Sequence, residues 1–306
     1  QYTIRQMCQV LNDAFVGGFI TERAYRAFKK RPVSKRAARH EALKRDIELM
    51  HEDFFMACYG YRKTYHQLLS QGWSASEVGR DQVYMLMREL GVQGSFTGKA
   101  PRTTRPARSS GGRPDLVHRH FQAQAPNRLH VADITYVRLK SGGFAYTAFI
   151  TDAYSRRIVG WTCATSLKTE DIALPALNEA LVWASIRDTT QGLIHHSDHG
   201  VQYISRVYSQ RVEDYGLLPS TGSVGDSYDN ALAERTNNAY KTELVYRHEP
   251  FETVEELEFA TFQWVDWYNN RRLHQALDYK TPAQVEKEYY HNQQEKEETS
   301  ILEKRN

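Results

Sequence analysis

Cysteine is scarce. Cys8, Cys58 and Cys163 stand alone, with no CxxC spacing and no Cys/His pairing. That argues against a disulfide framework and a zinc framework, and it fits a reducing cytosol. Long apolar runs are missing too. No stretch approaches the ~20 apolar residues of a membrane span, and no secretory signal opens the chain. The first residue is Gln rather than Met, which reads as a fragment, a processed product or part of a longer chain. A net excess of either charge is small, since 40 Lys/Arg against 37 Asp/Glu leave only +3. That small sum hides a local imbalance.

Residues 23–45 hold Arg23, Arg26, Lys29, Lys30, Arg31, Lys35, Arg36, Arg39, Lys44 and Arg45 against Glu41 alone. Such a segment suits a polyanion; it equally suits a solvated helix face. At 306 residues, 41% hydrophobic and 25% charged, the chain has room for about two ordinary globular domains. From Gln284 onward it is mixed but Glu-rich.

Helical periodicity runs over 36–58, with Ala42, Leu43, Ile47, Leu49, Met50 and Phe54 apolar. A second helix is predicted over 61–69 after Tyr59-Gly60, a turn over 71–74, and a third helix over 80–90 ended by Gly91. Val83, Leu86, Met87 and Leu90 form its apolar stripe, leaving Gln82, Tyr84, Met85, Arg88 and Glu89 to face elsewhere. Helix, short Gly-containing turn, helix is the form of a helix-turn-helix reader and also of a small three-helix bundle. Residues 96–120 read as a linker, broken by Gly98, Pro101, Pro106, Gly111-Gly112 and Pro114 and made basic by Lys99, Arg102, Arg105, Arg108, Arg113 and Arg119.

From about 127 the pattern becomes α/β. Strands are predicted over 129–139, 144–151, 157–165, 193–197 and 217–221, with a hairpin turn at Lys140-Ser141-Gly142-Gly143. Helices are predicted over 169–184, 203–215, 229–246 and 253–268, the last opened by a capping box of Thr253 and Glu256. Three consecutive strands followed by alternating helices and strands give a mixed sheet covered by helices.

Three acids stand out. Asp133 interrupts the apolar run Val131-Ala132-Asp133-Ile134, where an acid is costly to bury unless paired or metal-bound; the alternative is an exposed residue on a solvent face. Asp198 ends a strand, where open α/β sheets place ligand sites; the alternative is a turn or cap Asp before Gly200. Glu234 lies in a helix with 35 residues between it and Asp198. Lys241, seven residues further, returns to within about 20° of the same face. The alternative there is a solvated face, with Arg235 and Glu243 as further surface charges. Three carboxylates on two strands and a helix can hold two Mg²⁺, which favour hard oxygen ligands and stabilise both oxygens of a phosphodiester exchange. His195 and His196 invite a metal reading, but neighbours in a strand point to opposite faces.

His130-Val-Ala-Asp133-Ile-Thr-Tyr136, His196-Ser-Asp198-His-Gly-Val-Gln-Tyr203 and Asp226-Ser-Tyr-Asp-Asn-Ala-Leu-Ala-Glu234, with Lys241-Thr-Glu243, resemble the DDE transposases of bacterial insertion sequences. The resemblance is to the OrfB half of the insertion-sequence-three family, related to retroviral integrases. Trp267-Tyr-Asn-Asn-Arg-Arg-Leu-His274 with Tyr279-Lys-Thr-Pro282 is similar to that family's C-terminal signature. Tyr59-Gly-Tyr-Arg62 with Met87-Arg-Glu-Leu-Gly91 is similar to its helix-turn-helix, and residues 25–32 to its N-terminal arm.

That resemblance implies a ribonuclease-H-like α/β core, a mixed five-stranded sheet with flanking helices, preceded by an all-helical DNA-binding region. The implied layout is a basic arm (1–45), a helix-turn-helix-like domain (46–95), a basic linker (96–124), the integrase catalytic core (125–290) and a charged tail (291–306). Asp133, Asp198 and Glu234 would bind two Mg²⁺, with Mn²⁺ able to substitute, for in-line cleavage of element ends and strand transfer. The DNA-contact set comprises Lys241, Arg62, Lys63, Arg80, Arg88, Arg102, Arg105, Arg108, Arg235, Asn230 and Arg271. Implied partners are element-end and target DNA, further copies of the chain on DNA, and an upstream OrfA-type partner or fusion, in the bacterial cytoplasm at the nucleoid and without a membrane. The rival readings are a metal-dependent nuclease that cuts without joining, and a DNA-binding regulator that is inactive or partner-dependent.

Overall fold

Strand alternation does most of the work of placing the site. The computed structural model describes residues 2–95, 113–222 and 231–303. Five strands, β1 (Leu129–Arg138), β2 (Phe144–Asp152), β3 (Ile158–Ala164), β4 (Ile194–Ser197) and β5 (Leu218–Thr221), form one sheet in the order β3-β2-β1-β4-β5. β1, β2 and β3 are antiparallel neighbours, while β4 pairs parallel to β1 and β5 parallel to β4. This is the mixed, helix-covered sheet of the ribonuclease-H-like expectation.

The chain divides into two compact units, Gln1–Leu49 and Met50–Asn306. The first contains α1 (Ile4–Ala14) and α2 (Glu22–Lys30), which begin at Thr caps: Thr3 Oγ1 accepts from Gln6 N at 3.3 Å and Thr21 Oγ1 from Ala24 N at 3.1 Å. Asn12 ties the loop between them by accepting from the Phe19 and Ile20 amides at 2.6 and 2.8 Å. The segment read only as a basic arm is thus largely helical.

α3 (Lys35–Glu52) is shorter than the helix predicted over 36–58. It stops at Asp53, whose carboxylate takes the Phe55 and Met56 amides at 2.9 and 2.8 Å and opens a 3₁₀ turn instead. In the second unit, α4 (Tyr61–Ser70) and α5 (Arg80–Leu90) pack through Leu68, Val83, Leu86 and Met87, with Tyr84, Met85 and Arg88 exposed as the stripe required. α4 and the segment just before it pack on the α/β core: His66 of α4 stacks on Tyr279 at 3.6 Å, Phe55 on Trp267 at 5.1 Å, and the Leu273 amide donates to Tyr59 Oη at 2.9 Å.

The remaining helices are α6 (Ala173–Ser185), α7 (Val201–Ile204), α8 (Arg206–Asp214), α9 (Ala231–Tyr240), α10 (Val254–Asn270) and α11 (Pro282–Glu303). They split between the two faces of the sheet. Val137, Ala145 and Phe149 join Tyr240, Leu257, Trp264 and Trp267 of α9 and α10 in one core. Ala132, Ala148 and Ile150 join Leu177, Leu181, Tyr208 and Val212 of α6 and α8 in the other. Gly160 allows α6 to close on β3, because a Cβ there would stand 2.1 Å from the Ala176 carbonyl oxygen.

Several boundaries differ from the periodicity. The helix predicted over 203–215 is broken by Ser205, which caps α8 by accepting from the Tyr208 amide at 3.3 Å. The helix predicted over 229–246 is α-helical only to Tyr240 and continues as a π-helix over Lys241–Val245. The capping box of α10 is incomplete: Thr253 accepts from Glu256 N, but the Glu256 carboxylate takes the Glu252 amide, one residue before the cap. The tail expected over 291–306 is helical as far as Glu303, and α11 is anchored by Glu286, which sits beside Arg157 and Arg187 at 3.5 and 3.9 Å and accepts from Trp183 Nε1 at 3.2 Å.

Candidate active site

β1 is longer than the partner it meets in parallel. Pairing with β4 runs from Leu129↔Ile194 to Ala132↔Ser197 and ends there. The next residue on each strand is an acid, Asp133 and Asp198. Adjacent strands lie about 4.8 Å apart, so two carboxylates leave the same end of the same strand pair. Asp133 shares the parity of Val137, which places it on the α9 face rather than the α6 face. α9 meets it there, with Asn237 Nδ2 donating to Asp133 Oδ2 at 2.8 Å. Glu234 lies one turn earlier on that helix, on the neighbouring position of the same face.

Both other acids act on Asp133. Burial first, then the charge of Asp198 and that of Glu234, push Asp133 up to about 8; the Ile134 amide and Asn237 pull the other way. Burial raises Asp198 as well, offset by the Gly200 amide, which donates to Asp198 Oδ1 at 2.9 Å. A Cβ on Gly200 would stand 2.9 Å from that oxygen, so a larger residue there would displace the Asp198 carboxylate. Burial also raises Glu234, though its residue is exposed. Asp133 is half-buried and bonded to Asn237 of α9 rather than set on a bare solvent face.

Among the described residues no three His, Cys, Asp or Glu side chains already form a metal cage. The donor chemistry nevertheless fits a hard divalent cation. Asp133 and Asp198 follow the last parallel pair of β1 and β4, neither has a cation among its hydrogen-bond partners in the described residues, and the buried Asn237 Oδ1 lacks a partner.

The histidines are structural. His195 shares a 2.7 Å hydrogen bond with Tyr208 on one side of β4, and His196 one of 2.9 Å with Ser220. Burial lowers His195 to about 3. His199 bonds the Gly222 carbonyl at 2.6 Å and ties the ends of β4 and β5 together.

Lys241 opens the π-helix and lays its Nζ 4.6 Å over the ring of Tyr136, three residues beyond Asp133 on β1. Glu243 is not a surface charge. It is 7% exposed, receives Arg272 through both oxygens, at 3.0 and 2.8 Å from Nε, and accepts from Trp264 Nε1 at 3.4 Å. Arg235 is exposed as read. Arg62, Arg80 and Arg88 are exposed on α4 and α5, Lys63 is half-buried, and Arg271 pairs with Asp266 at 3.5 Å. Arg102, Arg105, Arg108, Asn230 and the 226–230 approach lie outside the described residues. Asn237 and Tyr136 went unread in the sequence. A signal existed for Asn237, three residues after Glu234 in helical register; none marked Tyr136, whose partner comes from another element.

The integrase core domain family matches residues 123–227, a second integrase core domain model matches 215–282, and an HTH-like domain matches 38–100. The chain is 43% identical over 267 residues to a putative transposase for insertion sequence element IS986/IS6110 of Mycobacterium tuberculosis (strain CDC 1551 / Oshkosh), covering 86% of this chain and 94% of that protein. It is 42% identical over 292 residues to the transposase for insertion sequence element IS629 of Shigella sonnei, covering 95% and 93%. Among solved structures it is similar to the HTLV-2 integrase catalytic core domain in complex with magnesium (dimeric form), at 19% identity and a TM-score of 0.39, covering 53% of this chain and 98% of that one.

Proposed function

The chain belongs to the integrase-core transposases of the insertion-sequence-three family, and from that premise we propose that Asp133, Asp198 and Glu234 are its catalytic carboxylates, acting on DNA ends with a pair of Mg²⁺ ions or Mn²⁺. The reading is carried by one observation: parallel pairing stops at Ala132↔Ser197, so that the next residues are both acids, and Asn237 of Glu234's own helix is bonded to the first of them. When bound, the cations supply charge stabilisation for the attacking and leaving oxygens of a phosphodiester. The chain's own part is positioning. β1 and β4 hold two carboxylates at fixed spacing, α9 carries the third, and Asn237 fixes Asp133's orientation. In a phosphoryl transfer of this kind, placement and electrostatics account for most of the rate.

Contact with DNA falls to exposed Arg62, Arg80, Arg88 and Arg235, to Lys241, and to the basic residues of the linker. Element-end and target duplexes, further copies of the chain and an OrfA-type partner belong to the same proposal, as does a place beside the nucleoid in the cytoplasm. Among the described residues no helix is long and apolar enough to cross a membrane.

The deciding experiment incubates the chain with short duplexes of the element ends and Mg²⁺ and resolves the products. Joined products are expected from wild type, and Asp133→Ala, Asp198→Ala or Glu234→Ala should each lose about a thousandfold in rate, near 4 kcal/mol of transition-state stabilisation, while still binding DNA. Nicks without joining would make the chain a nuclease. Near-normal joining by any one variant would remove that residue from the mechanism.

A further inference from the structure

A groove of about 810 Å³ separates α4 from the helix that carries Glu234. Tyr61, Arg62 and Lys63 of α4 line one wall with Tyr84 of α5; Glu234, Arg235 and Thr242 line the other. Its charge is lopsided. Glu243 borders the groove too, but Arg272 already holds it, so Arg62, Lys63 and Arg235 face Glu234 alone. Lys63 has its Nζ over the Tyr59 ring at 4.9 Å, and burial, followed by the charge of Arg272, lowers it to about 8. An ammonium in that position gains from an incoming anion. Across the groove, Thr242 is 9% exposed and its buried Oγ1 has no hydrogen-bond partner in the described structure.

Aromatic rings interleave with these cations. Tyr61 and Tyr84 meet edge to face at 5.5 Å, Arg62 lies 5.7 Å from the Tyr61 ring centre, and Arg88 lies 5.9 Å from that of Tyr84. Tyr84 keeps 46% of its surface exposed. Rings set beside cations along a concave track are how proteins hold unpaired strands, with phosphates on the cations and bases on the rings. A duplex keeps its base faces inside the stack, so it would gain nothing from the tyrosines.

We propose that this groove binds unpaired DNA, stacking bases on Tyr61 and Tyr84 and leading the strand's backbone past Lys63 and Arg235 to Glu234. The delivery to Glu234 rests on the catalytic reading above; the single-strand site itself does not.

The test uses the full chain and fluorescence anisotropy with an oligothymidylate of about sixteen nucleotides, and with an element-end duplex at the same salt. Tyr84→Ala should lose about five- to a hundredfold in single-strand affinity and leave duplex affinity within about twofold. Tyr84→Phe keeps the ring and should bind as wild type does. Arg62→Ala, at an exposed side chain, should weaken the single strand in the same direction without altering the fold, as read by circular dichroism. Wild-type single-strand affinity in Tyr84→Ala, an equal loss in Tyr84→Phe, or a matching loss on the duplex each overturns the proposal. The two readings part cleanly. Joined products from wild type with an unaffected Tyr84→Ala would sink only the groove. Lost single-strand binding in Tyr84→Ala, with no joining by wild type, would sink only the catalytic centre.

Discussion

Asn237 donates a 2.8 Å hydrogen bond from α9 to Asp133 on β1. It ties the helix of Glu234 directly to the point where the β1–β4 pairing ends and the two aspartates follow. Without it, the third carboxylate and the first would be held together only through the surrounding core.

Removing that tie should loosen the site without unfolding it. Asn237→Ala is expected to lower strand transfer ten- to a hundredfold, the usual cost of deleting a partner that orients a metal-binding side chain. A Mg²⁺ titration of the joining reaction should show the midpoint moving to higher concentration. An unchanged midpoint and rate would reduce Asn237 to a packing residue.

Asp133 should make the metal-free protein sensitive to pH. Its folded value, pushed up to about 8, lies above the ordinary 3.8. The fold therefore favours the neutral acid, and the stability this contributes is present below about 3.8 and lost as pH rises through about 8. Asp133→Asn carries no such charge. In thermal melts with chelator present, the variant's advantage over wild type should grow between pH 5 and 8 and level off above. Added Mg²⁺ should raise the wild-type melting point most at the alkaline end and leave the variant little changed.

The Arg272–Glu243 pair is buried on both sides, with 12% and 9% of the side chains exposed. Arg272→Met leaves Glu243 charged and uncompensated, and should cost about 3–5 kcal/mol in urea unfolding. The double variant Arg272→Met with Glu243→Leu should recover most of that loss, because neither charge then needs a partner. Equal stability of the single variant and wild type would show that water reaches the pair.

At the contact of β3 and α6, Gly160→Val places a Cβ against backbone, 2.1 Å from the Ala176 carbonyl oxygen. The helix must shift, at about 1–3 kcal/mol or more. A melting point equal to wild type would mean that α6 moves freely there.

Much of this was legible in the chain itself. The five strands, their hairpin and the α4–α5 pair follow from periods of two and three to four residues, which burial of one face imposes on any sequence. The flanks of Asp133, Asp198 and Glu234 carried the family resemblance. What escaped was partnership across elements. Glu243 reads as a surface charge because a helix face gives no sign that Trp264 and Arg272 will close over it. Asp152 drew no notice, yet it is buried on β2, where it takes the Asn127 amide at 2.8 Å and Ser155 at 2.7 Å. Its partners are two amides and a hydroxyl, so it serves the fold.

By itself, then, the sequence determined the five strands and the α4–α5 pair, because hydrophobic period, caps and turns act over a few residues. It also marked Asp133 inside a strand and Asp198 at the end of another. Only the tertiary structure decided that Asp133 faces α9 and that Asn237 binds it. It decided as well that α4 and Glu234's helix leave a groove between them. Those outcomes depend on register and on packing between segments a hundred residues apart, and no local pattern encodes a distance.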